Sequence, residues 1–354
     1  MKRWSLVISL LFVIVACSGC RLKHAQLKEF TDEKFIMDTL IRVTVYSDDE
    51  QKGKGALDKA FAEFERINNL TDRFPKEGEN TSVSSDVIRI NENAGIQPVQ
   101  VSADTLNIVQ RSIYYAQLSG GSFDITIGPI MDLWGFGKNV QRVPSDDQIE
   151  KALSLVDYRK VVVDPDNGTV YLQQPGMSLD FGGVAKGYAT EEAAKILREL
   201  GIEHAIINAG GNVYALGARP DGSPWRVGVR DPRNEDGLLA ILSVKDISVV
   251  TSGDYERYFE EGGLRYSHLI DPSTGKQARD LMQTTVVAES STDADIINKP
   301  LFVLGRRQGM SFAESLQGVG AIFVGADKQV TFTGNLTNQL EFTGNGGYQI
   351  INQQ

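Results

Sequence analysis

At 354 residues, with 41% hydrophobic and 23% charged side chains, the chain can bury a substantial core and has the composition of a globular protein. The formal net charge of −10 argues against nucleic acid or an anionic membrane surface as a general partner. It also requires any anionic ligand to meet a local cation or a cluster of backbone N–H groups.

Residues 1–20, MKRWSLVISLLFVIVACSGC, have basic residues, then an apolar run from Trp4 to Val15, then small residues. That is the layout of a secretory signal, too short for a comfortable membrane span. It resembles a bacterial lipoprotein signal. Ile14-Val15-Ala16 fits cleavage ahead of Cys17, with Ser18-Gly19 ahead of Cys20 as the alternative; a Cys17–Cys20 disulfide or an ordinary signal anchor also stays open. Residues 1–16 read as the signal, 17–34 as a polar, lipid-anchored tether, and 35–354 as one mixed α/β domain at the extracytoplasmic face of a bacterial envelope. Both cysteines lie in this segment, so the domain has no disulfide, thiolate metal site or cysteine nucleophile.

Along the domain, TLIRVTVYS (39–47) alternates like a half-buried strand, and Leu57, Ala60, Phe61, Phe64, Ile67 and Leu70 recur at helical spacing. DTLNIVQRSIYYAQLSGG predicts a helix closed by glycine, and KVVVDPDNGTVYLQ (160–173) a hairpin. Ala189, Ala193, Ile196, Leu197 and Leu200 form one apolar helical face ended by Gly201. HAIINAGGNVYALGA predicts a strand, a glycine turn and a second strand. Short strands dominate from residue 225 onward, with one helix near 295–317.

Four stretches carry candidate chemistry. SLDFGGVAKGYAT (178–190) places Asp180, Gly182, Gly183 and Lys186 just ahead of a helix, a layout suited to a phosphate group. It is neither a kinase metal triplet, since no HRD-type loop precedes it, nor a P-loop, since glycine follows the lysine. GGSFDITIGPIMDLWGFG (120–137) interleaves Phe123, Trp134 and Phe136 with Asp124 and Asp132, and reads as too glycine-rich for an ordinary helix. Those aromatics suit either the core or the face of a flat heteroaromatic ring. YSHLIDPSTGKQA (266–278) holds His268 and Asp271; the other histidines, His24 and His204, have no such setting. TDADIINKP (292–300) offers Asp293 and Asp295 near a helix start, as dipole compensation or as hard-cation ligands.

Taken together and in order, these stretches, with FIMDTLIRVTVY, INAGGNVYALG, WRVGVRDP, TSGDYERYF and DADIINKPLFVLG, resemble the ApbE family of flavin transferases. The resemblance implies Mg²⁺-dependent cleavage of FAD, with FMN passing to a threonine or serine of a target protein and AMP leaving. Its alternatives are an FAD pyrophosphatase and a non-catalytic FAD-binding lipoprotein. It implies targets among the subunits of membrane electron-transport complexes or other extracytoplasmic flavoproteins. Carried over by residue, Met37, Phe74, Ser122, Phe123, Asp124, Asp180, Lys186 and Leu269 contact FAD, and the Gly183 carbonyl and Asp295 hold the metal. His268 is the candidate base, with Asp271 and Asp180 as rivals. The chain departs from the family pattern at two positions. Asp38 replaces a glycine, and Lys299 stands where a threonine is the usual further metal ligand, leaving Asn298 or water as substitutes. Spacing of i and i+4 on a helix puts Lys299 beside Asp295.

Overall fold

The computed structural model of the chain describes residues 27–74, 84–137 and 140–351. The signal segment, Cys17 and Cys20 lie outside the described residues. Strands β1 (Lys28–Ile36) and β2 (Thr39–Ser47) form a hairpin and lead into helix α1 (Glu50–Thr71). Then come α2 (Asp86–Glu92), the short β3 (Val99–Gln100), α3 (Ala103–Leu118), α4 (Gly128–Trp134) and α5 (Asp146–Leu153). The hairpin of β4 (Val161–Asp164) and β5 (Thr169–Leu172) precedes α6 (Ala185–Glu199). Next are β6 (Ala205–Ala209), β7 (Asn212–Leu216), β8 (Trp225–Asp231), β9 (Asn234–Val244) and β10 (Ile247–Gly253). Two small hairpins follow, β11 (Tyr258–Glu261) with β12 (Leu264–Ser267) and β13 (Ile270–Asp271) with β14 (Lys276–Gln277). The last elements are β15 (Leu281–Ala288), α7 (Ser291–Ser315), β16 (Gly320–Gly325), β17 (Gln329–Phe332), β18 (Leu340–Phe342) and β19 (Gln349–Ile350).

A nine-stranded sheet in the order β1-β2-β6-β7-β10-β15-β16-β17-β19 organises the molecule, antiparallel throughout except for the β17–β19 pair. Every residue of β15 is buried, because α7 covers one face of the sheet and the small sheet β18-β9-β8 covers the other. Its polar Gln283, Thr284 and Thr285 are therefore buried along with its apolar residues. Helices α1, α6 and α7 pack side by side in one layer. α1 starts where the Asp49 side chain accepts a hydrogen bond from the Lys52 N–H (2.8 Å), and it buries Leu57, Ala60, Phe61, Phe64 and Ile67.

Three expectations are corrected. The tether reading reached residue 34, but Lys28–Ile36 is an edge strand paired residue by residue with β2, from Lys28 opposite Ser47 to Ile36 opposite Thr39. Its Lys28, Glu29, Asp32, Glu33 and Lys34 carry the polar signature of a tether, yet in a sheet they serve as the charged outer edge that discourages strand addition. The glycine-rich stretch 120–137 contains a helix, the seven-residue α4, with Pro129 in its first turn and Gly135 ending it at φ 77°. Helix α7 starts earlier than predicted, because the Ser290 hydroxyl caps the Asp293 N–H (3.1 Å), and it is interrupted at Gly305 (φ 72°, ψ −176°).

Candidate active site

The hairpin tip of β1–β2, the C-terminal end of α1, the loop before α4, the first turn of α6, α7 and the segment 268–272 enclose a cleft. Its volume is about 1360 Å³ counted out to its mouth. Met37, Phe74, Ser122, Phe123, Asp124, Asp180, Gly183, Lys186, His268, Leu269 and Lys299, all selected from sequence, line it. Met37 and Asp38 form the two-residue turn of the hairpin, both at φ 56°. That is the left-handed pair a tight hairpin demands and glycine fills most easily. Trp134 lies behind the wall and donates from Nε1 to the Gly275 carbonyl (2.8 Å), whereas Phe123 and Phe136 both pack into the core and face the cleft.

Helix α6 brings Lys186 into the cleft through its first turn and meets α7 at Gly187. A Cβ on Gly187 would lie 2.4 Å from the Ser291 carbonyl oxygen and 2.5 Å from the Asp295 Cβ, so only glycine permits this approach. The Gly187 N–H donates to Asp295 Oδ2 (2.8 Å), and the Lys299 ammonium donates to Oδ1 of the same carboxylate and to the Asp295 carbonyl (3.1 Å). Asp295 is fully buried. Burial pushes its carboxyl up, but Lys299 and Lys186 overcome that and hold it below the usual carboxylate range. Burial pulls the Lys186 ammonium below its ordinary value against the opposing attraction of Asp295, and the like charges of Lys299 and Arg257 add to the fall.

His268 lies on the cleft wall with Nδ1 3.2 Å from the Arg257 carbonyl oxygen. A carbonyl only accepts, so this contact places the proton on Nδ1 and leaves Nε2 as the basic nitrogen. Burial, then the charges of Arg257, Lys186 and Lys299, pull the imidazole down to about 3, so it is neutral at pH 7. Asp271, a rival base, is a turn residue: its Oδ1 accepts from the Ser273 N–H (2.8 Å) and hydroxyl (2.7 Å), and it is not among the cleft-lining residues. His204 bonds the Ala218 carbonyl (2.7 Å), a structural contact.

Asp180, the other rival, has a partner already. Arg73 Nη1 donates to its Oδ2 (2.7 Å), the Gly182 N–H to its Oδ1 (2.8 Å), and Arg73 Nη2 reaches on to Asp132 (2.7 Å). The Arg73 guanidinium also stands over the Phe74 ring at 5.0 Å, and so fixes that wall. Asp124 borders the cleft but accepts from the Thr126 N–H (2.7 Å), the Thr126 hydroxyl (2.7 Å) and the Tyr158 N–H (2.8 Å). Its role is to anchor the loop that presents Ser122 and Phe123, and burial raises its pKa. Arg73 and Arg257, both cleft residues, were not selected from sequence; no periodicity or spacing marks a loop arginine.

Comparison with known proteins gives this site a lineage. The family model described as "ApbE family" matches residues 37–323. The chain belongs to the ApbE family. It is 32% identical to the FAD:protein FMN transferase of Treponema pallidum (strain Nichols) over 353 residues, 96% of this chain and 95% of that protein. It is 36% identical over 270 residues to an FAD:protein FMN transferase of Klebsiella pneumoniae (strain 342), covering 75% and 83% of the two chains. The crystal structure of the ApbE protein from Thermotoga maritima superimposes with a TM-score of 0.79 at 31% identity, over 88% of this chain and 99% of that one.

The Mg²⁺ implied by the ApbE resemblance does not fit the donors present. Gly183, Asp295 and Lys299 do converge: the Lys299 stem passes Gly183 so closely that a Cβ there would sit 3.4 Å from Lys299 Cγ. The ammonium then occupies Asp295 Oδ1 while Gly187 occupies Oδ2. Asn298, the suggested substitute ligand, faces the sheet instead, with Nδ2 donating to the Val250 carbonyl (2.6 Å) and Oδ1 accepting from the Thr284 hydroxyl. Among the described residues no group of three His, Cys, Asp or Glu side chains is placed to hold a metal ion. An ammonium cannot ligate a cation, so no chemical step is assigned to a metal here.

Proposed function

We propose that this chain transfers FMN from FAD to a threonine or serine hydroxyl of a target protein and releases AMP. The observation that carries this reading is the convergence of Lys186, Arg257 and neutral His268 on one cleft that is also walled by Phe74, Phe123 and Phe136. A dinucleotide flavin needs positive charge for its diphosphate and an apolar face for its ring system. The acceptor oxygen attacks the phosphorus of the FMN half, its proton passes to His268 Nε2, and the bond to the AMP phosphate breaks as AMP takes the charge. Lys186 and Arg257 stabilise the charge that builds on the phosphoryl oxygens. Arg73 and the Gly182 N–H occupy both Asp180 oxygens, which makes Asp180 a positioning group rather than a base.

In the same reading the chain is exported and lipid-anchored through Cys17, with Cys20 the alternative. Its acceptors are then extracytoplasmic subunits of membrane electron-transport complexes. The apolar run that ends in cysteine supports this. Labelling with a fatty-acid analogue should be lost in Cys17→Ser and kept in Cys20→Ser.

The deciding experiment incubates the protein with FAD, with and without an extracytoplasmic flavoprotein subunit as acceptor, and measures AMP and covalent flavin. Acceptor-dependent AMP with fluorescent protein supports the transferase. Equal AMP without acceptor marks a pyrophosphatase, and bound FAD without AMP marks a flavin-binding protein.

A further inference from the structure

We propose that the Lys299 ammonium is the built-in counter-ion of the diphosphate, so that this chain binds and cleaves FAD without a divalent metal. The inference rests on the transferase reading for its substrate, and on the geometry around Asp295 for its substance. Lys299 lies four residues after Asp295 on α7, runs along Gly183, and ends on Asp295 Oδ1 while its side chain still borders the cleft. The position where a threonine would complete a metal site thus already carries positive charge. A divalent ion entering there would have to displace a hydrogen-bonded ammonium and then sit against it, two like charges in a buried setting.

The charges of the cleft point the same way. Lys186, Lys299 and Arg257 border the space that adjoins Asp295, and among the described residues neither Lys186 nor Arg257 has a carboxylate hydrogen-bond partner. Three cations thus face the one buried carboxylate of Asp295, while the cleft carboxylate of Asp180 is already paired with Arg73. Lys186, Lys299 and Arg257 together place a local excess of positive charge beside Asp295, where a diphosphate bridge needs it. The Lys299 ammonium has three donors; Asp295 takes two through its carboxylate and its carbonyl, and one remains for a phosphoryl oxygen. Asp295 on this account is the residue that orients Lys299, and Gly187 orients Asp295 in turn.

FAD binding to the whole purified protein, read by flavin fluorescence in EDTA and again in Mg²⁺, tests the proposal together with Mn²⁺ binding read by electron paramagnetic resonance. The expected result is the same FAD affinity in both buffers and no Mn²⁺ bound to the unaltered chain, with or without FAD. In Lys299→Thr, FAD affinity in EDTA should fall by about tenfold or more, Mg²⁺ should restore it, and one Mn²⁺ should bind. A tenfold loss of FAD affinity in the unaltered chain on adding EDTA, or one Mn²⁺ bound per chain, overturns the proposal. Both measurements need only the unaltered protein, so they decide even where the variant fails to fold. Turnover separates the two readings. FAD bound in EDTA with no AMP in either buffer sinks the transferase and leaves the counter-ion assignment standing, whereas AMP formed only with Mg²⁺ sinks the assignment and leaves the transferase.

Discussion

Arg73 and Asp180 stand 107 residues apart in the chain and meet at 2.7 Å, the arginine from the loop after α1 and the aspartate from the loop before α6. The same guanidinium grips Asp132 with its other arm, so one side chain fastens three walls of the cleft. Arg73 and Asp180 are both largely buried, which makes the loss of one partner costly. Arg73→Met should destabilise the protein by about 3 kcal/mol, read as a lower urea midpoint, and should weaken FAD binding. Arg73→Lys keeps the charge but not the fork, and should recover only part of both.

His268 gives a pH prediction with a definite sign. Its folded-state value of about 3 lies below the ordinary 6.5. Between those values the unfolded chain binds the extra proton, so stability falls as pH drops from 6.5 towards 3, and above that window this group adds no pH dependence. Binding a diphosphate beside the imidazole opposes the repulsion from Arg257, Lys186 and Lys299 and raises its pKa in the complex. The acid limb of kcat should therefore lie at higher pH than that of kcat/KM; coincident limbs would refute the assignment. His268→Gln should cut turnover by about 10²- to 10⁴-fold while FAD still binds, and Asp271→Asn should leave both pH profiles in place.

Gly187→Ala probes the contact between α6 and α7. The added methyl meets the Ser291 carbonyl and the Asp295 Cβ, so the helices must separate. A stability loss of about 2 kcal/mol is expected from this overpacking, together with weaker FAD binding, because the separation draws the residue 187 N–H away from Asp295.

Asp38→Gly should act in the opposite direction. Asp38 holds φ 56° at the hairpin tip, a conformation free of steric cost only for glycine. Removing the side chain should raise stability by about 1 kcal/mol, visible in thermal unfolding, and should remove one negative charge from the cleft rim.

Much of this site is legible in the sequence, and what is not has identifiable causes. Lys186, Asp295 and His268 stand out because each sits in a short segment with glycine or helix-start signals around it. The i, i+4 spacing is enough to pair Lys299 with Asp295, and the structure shows that pair. Arg73 escapes because its partners come from loops far along the chain, and only tertiary packing brings them together. Arg257 escapes because its neighbours Glu256 and Tyr258 make it look like one more surface charge. The β11–β12 hairpin is signalled by Gly262-Gly263, a pair suited to a tight turn, but the charged residues on both sides hide the alternation. Strand β1 is hidden in the same way, since an exposed edge needs few apolar residues.

That edge strand has a mechanical consequence. Strand β1 begins at Lys28, and its nine residues end at Ile36, next to Met37 on the cleft rim. A pull on Lys28 directed along β1 is carried as shear, shared across its whole antiparallel ladder with β2, whereas a pull across the strand opens that ladder pair by pair. The strand also acts as a spacer of about 30 Å between Lys28 and the cleft rim.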